Sequence, residues 1–188
     1  MSEVPARVTE TLALGVALGA TGAHAQTPPP KPAAPGATAS LNREDQRFVK
    51  EAAAGGLAEV ELSKIAQKSE NPEVKNFADR MVQDHSKADQ ELVTIASSLG
   101  VDVPKALDAE HQRLSQKLAG LHGKAFDEEY MRAMVEDHNK AVMLFQGEER
   151  SDQNPELKQF AQKTLPILQT HQKMAQELSR KVTTASAR

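Results

Sequence analysis

An all-α fold, with four long helices laid out as two hairpins joined by a long crossover, is what this sequence predicts, and three observations carry the prediction. Apolar residues recur at steps of three and four through four separate stretches, the spacing that places them on one face of a helix. Two Asn-Pro-Glu triplets, Asn71-Pro72-Glu73 and Asn154-Pro155-Glu156, follow the first and third stretches closely. Each reads as a tight turn into a new helix, with Asn as cap, Pro at the first helical position and Glu in the first turn. Between the second and third stretches, residues 101–123 are too long and too rich in breakers for a tight turn. The composition agrees, being rich in Ala, Leu, Glu, Lys and Gln and only 3% aromatic, which favours helix over strand.

Ahead of the helices, residues 1–25 read as an export signal. Leu12 to Ala23 is an apolar, small-residue run too short to span a bilayer, and Ala23-His24-Ala25 offers a small-x-small cleavage pattern with Gln26 as the new N-terminus. The leading segment carries one base, Arg7, against Glu3 and Glu10, so removing it changes the net charge from −3 to −2. Residues 26–41 contain five prolines and almost nothing large to bury, as expected of an extended linker. The helical domain is expected over 42–183, followed by a short disordered tail at 184–188.

The first helix is expected to start at Asn42 as its cap and to run to about Ser69. Its stripe is Phe48, Ala52, Gly55, Glu59, Leu62 and Ile65/Ala66. Gly55-Gly56 costs helix propensity, about 1 kcal/mol per glycine, and allows a bend or a close approach by a neighbouring helix. The second helix runs from Pro72 to about Leu99, stops at Gly100, and carries Val74, Phe77, Met81, His85, Ala88, Leu92, Ile95 and Leu99 on one face. In the crossover a short helix is expected over about Leu107–Ala119, broken by Gly120-Leu121-His122-Gly123. The third long helix, about Ala125 to Arg150, turns Phe126, Tyr130, Met134, His138, Ala141 and Phe145 inward. The fourth, Pro155 to about Lys181, turns in Leu157, Phe160, Thr164, Leu168, His171, Ala175 and Leu178, with Pro166 expected to bend or loosen it. Two tight hairpins with a long middle connection make this a ferritin-like four-helix bundle rather than a simple up-down one.

The candidate site comes from a segment the chain contains twice: Met81-Val82-Gln83-Asp84-His85-Ser86-Lys87-Ala88 and Met134-Val135-Glu136-Asp137-His138-Asn139-Lys140-Ala141, identical at six of eight positions. Both histidines fall on the apolar face, as does His171, and Glu59 is the odd carboxylate on the first stripe. Glu59 lies 12 residues before Asn71 and His85 14 after it; His138 lies 16 before Asn154 and His171 17 after it. Antiparallel partners therefore meet within roughly one helical turn, about 5 Å, of the same level. One ligand-type side chain per helix at one level suits a single transition-metal ion held by Glu59, His85, His138 and His171.

The same four residues also read as a structural cluster in which Glu59 accepts hydrogen bonds from histidines and fixes the helix register. The clustered carboxylate and imidazoles are expected to be able to titrate between pH 5 and 8, which leaves a pH response open as well. A di-iron oxidase is disfavoured: the residues three before the histidines are Val82, Val135 and Leu168, so the Glu-x-x-His pairs are missing, and Glu128 or Glu129 supplies one further acid at most. Asp84 and Asp137 lie about 100° round the helix from their histidines and are expected to pair with Lys87 and Lys140 at i+3. His111 and His122 are expected in solvent, and the methionines as core filler.

With no cysteine there is no disulfide or thiolate ligand. No Lys/Arg run suggests nucleic acid, and no spanning segment follows the signal. No nucleophile–base pair, phosphate loop or catalytic acid pair appears, so an enzyme is the less supported class. A non-metal envelope or stress-related interaction module is the alternative to metal binding.

Several motifs in order resemble a known family: A-A-x-G-G-x-x-E-V-E-L (Ala52 to Leu62), N-P-x-V-K-x-F-A (Asn71 to Ala78), M-V-x-D-H (Met81 to His85), F-D-x-x-Y-M (Phe126 to Met131), the second Asp137-His138, and L-P-x-L-x-x-H (Leu165 to His171). Over about residues 43–180 the chain is similar to a domain-of-unknown-function family of exported bacterial ferritin-like proteins, often labelled outer-membrane proteins. The resemblance implies a ferritin-like bundle in the bacterial envelope, hence a periplasmic location, and no established activity. Neither barrel strands nor an anchor accompanies the outer-membrane label.

Overall fold

A computed structural model describes residues 41–151 and 153–184, which fall within one compact unit, Thr38–Arg188. The expected signal, the linker apart from Leu41, and the tail beyond Thr184 lie outside the described residues. Among the described residues there are five helices and no strand: α1 (Arg43–Ala66), α2 (Pro72–Ser98), α3 (Ala109–Ala119), α4 (Gly123–Arg150) and α5 (Pro155–Thr184).

The caps explain where the helices begin. Asn42 Oδ1 accepts from the backbone N–H of Glu44 (2.8 Å) and Asp45 (2.9 Å). Asn71 Oδ1 accepts from Glu73 (3.0 Å), and Asn154 Oδ1 from Glu156 and Leu157 (3.0 Å each). Asp108 caps α3 in the same way, accepting from Glu110 and His111 at 2.9 Å, which starts that helix at Ala109 rather than Leu107. Gly100 and Gly123 take positive φ (68° and 53°), a left-handed conformation that costs glycine little. The first helix stops at Ala66, three residues short of expectation, where Gln67 and Ser69 turn the chain back by hydrogen bonds to Ser63 O and Ala66 O. The helix α5 continues through Pro166, which is exposed, so the backbone bond it lacks is lost on the solvent side.

The helix α1 packs against α2 and α4, α5 packs against α4 and α2, and α3 lies against α1 and α4. Their apolar stripes make two clusters. One gathers Phe77, Met81, Tyr130, Met134, Leu62 and Leu178; the other gathers Phe48, Phe145, Phe160, Leu92, Leu157 and Leu168. Fully burying one such side chain is worth about 1.5–3 kcal/mol, so these clusters set the alignment of the helices. Tyr130 keeps its hydroxyl satisfied by Ser63 Oγ at 2.8 Å. Along the chain, α1 passes from Ala53 in the second cluster through Glu59 to Leu62 in the first, and α2 from Met81 through His85 to Leu92. On α4 the order is Met134, His138, Val142, and on α5 Leu168, His171, Ala175. A polar layer is thus enclosed between two apolar ones.

Candidate metal centre

Glu59, His85, His138 and His171 are all buried, 3%, 4%, 0% and 0% exposed. The three imidazole rings surround one another at centroid separations of 5.2 to 5.5 Å. Each offers a nitrogen such that the three lie within 4.8 Å of one another.

The hydrogen bonds distinguish the two nitrogens of each ring. His138 Nδ1 lies 2.9 Å from Met134 O; a carbonyl can only accept, so Nδ1 carries the hydrogen. Glu59 Oε2 is 2.9 Å from His85 Nδ1, and Oε1 is 3.2 Å from His138 Nδ1. That hydrogen points at Met134 O, which leaves Oε1 without a true hydrogen bond. His171 Nε2 lies 3.0 Å from Asp84 Oδ2. The remaining ring nitrogens, His85 Nε2, His138 Nε2 and His171 Nδ1, are buried without a hydrogen-bond partner.

The charges follow from this geometry. Burial alone would push the Glu59 carboxyl up, but the imidazoles of His85 and His138 outweigh it and hold it at about 2. Burial disfavours the charged His85, yet Glu59 lifts its pKa above the ordinary value. Burial and the nearby His85 push His171 down to about 4. Near neutral pH, Glu59 is therefore a carboxylate that accepts from His85 Nδ1, and His171 is a neutral ring holding its hydrogen toward Asp84.

Sequence reasoning grouped these four residues and missed their supports. Asp84 does not pair with Lys87. Its Oδ2 takes His171 Nε2 and Arg80 Nε (3.3 Å), and these contacts bring its pKa down against the effect of burial. Nor is His111 in open solvent: its Nδ1 is 2.6 Å from Asp108 Oδ2 and its Nε2 3.8 Å from Asp137 Oδ2. The carboxylates of Asp137 and Asp108 lift this imidazole to about 9. Asp137 is 3.8 Å from Lys140, as the spacing suggested. Glu129 is drawn off to Arg132 and Lys117. His122 is exposed, and Met143 is 66% exposed rather than core filler. The i−4 spacing from Arg80 to Asp84 was visible in the sequence, but the contact from Asp84 to His171 depends on which helix lies beside α2.

The family model for a domain of unknown function (DUF4142) matches residues 30–178. The chain belongs to this family. Among solved structures, this DUF4142 chain is similar to a DUF305 fragment from Deinococcus radiodurans, with 16% identity, a TM-score of 0.64, and coverage of 74% of this chain and 98% of that one. It is also similar to CopM in the Cu(II)-bound form, at 21% identity and a TM-score of 0.62, covering 73% of this chain and 96% of that one. CopM in the Ag-bound form matches at 22% identity, a TM-score of 0.60 and the same coverage. At these identities the likeness is one of helical fold. No curated protein matches the chain. Among the described residues no helix is long and apolar enough to cross a membrane.

Proposed function

We propose that this chain is an exported, ferritin-like four-helix-bundle protein that holds one transition-metal ion in its core through His85 Nε2, His138 Nε2 and His171 Nδ1. One observation carries the reading: three buried imidazoles each offer a nitrogen within 4.8 Å of the other two, and each ring keeps one nitrogen unpartnered while the opposite one faces an acceptor. A buried polar atom left unpaired costs about 1–3 kcal/mol, and a cation shared by the three rings would offset that cost at all three positions. A ring whose far N–H is held by a carboxylate or carbonyl is the arrangement seen behind metal-ligating histidines, since it fixes tautomer and orientation. Glu59, counted among the ligands on sequence grounds, takes this supporting part in the proposal, beside Met134 O and Asp84.

The donor set is three neutral imidazoles with no thiolate, which suits copper or zinc better than magnesium or calcium. Copper is the ion favoured here, and the copper- and silver-bound forms of the fold neighbour support that choice. The periplasmic location rests on the signal pattern before Gln26; a mass measurement on the exported protein beginning at another residue would move or remove it.

Calorimetric titration of untagged protein with Cu(I), Cu(II) and Zn(II), beside a His85→Ala/His138→Ala variant, tests the site. One ion per wild-type chain and none in the variant is the expected result. A second reading, a purely structural His/Glu cluster in a non-metal envelope or stress-related interaction module, is favoured by the close Glu59–His85 pair. It predicts no stoichiometric ion in either protein and a variant that is merely less stable.

A further inference from the structure

A cavity of about 300 Å³ adjoins the histidine layer on the side of the Phe145 and Phe160 cluster. It runs from the exposed Glu51 inward to Glu59 and His85, and the N-terminal turn of α3 supplies part of its wall. Glu59 and His85 are the members of the site that it reaches; His138 and His171 are wholly enclosed. His85 and Glu59 each keep one polar atom without a hydrogen bond, His85 Nε2 and Glu59 Oε1, in side chains 5% and 3% exposed. The outer partner of His171, Asp84, is itself paired with the Arg80 guanidinium.

The wall carries an uneven charge. Glu51, Glu59, Asp89, Asp108 and Asp137 line it against Lys140 and His111. Asp89 stands one turn beyond His85 on the same face of α2. Its carboxylate fills the space left by Gly56 on the facing helix: a Cβ added at residue 56 would fall 2.0 Å from Asp89 Oδ1. The glycine that weakens α1 therefore seats a carboxylate in the cavity wall one helical turn from His85.

We propose that this cavity is the loading route of the centre, and that Asp89 is the relay ligand that accepts an incoming transition-metal cation and passes it to His85. The inference rests on the metal reading above. A hydrated cation entering a partly apolar passage loses water ligands before it reaches the imidazoles, and the cost of stripping a charge of its water is high. A carboxylate one helical turn short of the site replaces some of that water and lowers the barrier in both directions. It is absent from the final donor set, so it changes rates and leaves affinity nearly alone.

Stopped-flow mixing of the protein with Cu(II), followed by absorbance, gives the loading rate, and calorimetry gives the affinity. Asp89→Asn should load roughly 10-fold slower or more, with its dissociation constant within about threefold of wild type. Gly56→Ala, which pushes the carboxylate aside, should slow loading in the same sense, and Asp89→Ser provides a smaller side chain with the same expectation. Loading at the wild-type rate in all three variants would overturn the relay. So would an Asp89→Asn protein that loses the ion altogether, because Asp89 would then be a ligand of the centre itself. A wild-type protein that binds no ion fails the metal reading, a result distinct from either of these.

Discussion

The repeated segments 81–88 and 134–141 share Met, Val, Asp, His, Lys and Ala in register, yet the fold uses their polar residues differently. Both histidines turn into the layer and both direct Nδ1 toward a fixed acceptor, Glu59 for one and Met134 O for the other. Their aspartates part company. Asp84 meets the neutral His171 of α5, whereas Asp137 meets the imidazolium of His111 on the short helix α3. A carboxylate beside a wholly enclosed ring that two other histidines surround cannot draw a proton onto it; a carboxylate beside a ring at the surface, helped by Asp108, can. The motif fixes what each residue offers, and the neighbouring helix fixes what it is used for.

The largest effect that would sharpen this contrast concerns the ion. Asp84→Asn should weaken metal binding roughly 10–100-fold through loss of the outer partner of His171. Asp137→Asn should change it less than about threefold, because the outer partner of His138 is Met134 O instead. Equal losses in calorimetry would show that the two aspartates are equivalent after all.

The next effect is one of protonation, read by NMR titration of the imidazole protons in metal-free protein. His111 should titrate near 9 and His171 near 4, on either side of the ordinary value of about 6.5. Two midpoints close to that ordinary value would remove the distinction. For His111 the folded pKa exceeds the unfolded one, so its pairing stabilises fully below about pH 6.5 and is lost as pH rises to 9. For His171 the folded pKa is the lower, so the unfolded chain takes up the proton first and stability falls as pH drops from about 6.5 to 4.

The smallest effect is on stability. The His111–Asp137 contact is long and partly solvated, so Asp137→Asn should cost about 0.5–1 kcal/mol at pH 6. Denaturant unfolding should show the difference shrinking above pH 9, where the exposed Lys140 remains charged beside Asp137 and His111 does not. A difference that persists there would mean that Asp137 acts through a partner other than His111, such as Lys140 at 3.8 Å.

Much of this was legible in the chain. The caps Asn42, Asn71 and Asn154 marked three helix starts because a side-chain oxygen that reaches its own backbone is a local event. The residues predicted inward on α4 and α5 are buried apart from the half-buried Ala141, since the 3.6-residue period needs no knowledge of neighbours. The buried faces are wider than predicted, and also take in Asp127, Met131, Ala133, Val142 and Glu148 on α4 and Ala161, Leu165 and Val182 on α5. Counting residues from each turn was enough to bring Glu59, His85, His138 and His171 to one level. What could not be read was lateral. The meeting of Asp84 with His171, of His111 with Asp137, and of Asp89 with Gly56 depends on which helix lies against which and at what rotation.

By itself, then, the sequence determined the helices, their inward faces and the height of the polar layer, because these follow from backbone periodicity and turn chemistry along one strand of chain. Only the tertiary structure decided which ring nitrogens stay unpartnered, which aspartate supports the layer and where it opens toward solvent. Those are contacts between residues up to 87 positions apart, and they are set by the packing of the two apolar clusters on either side rather than by any local preference.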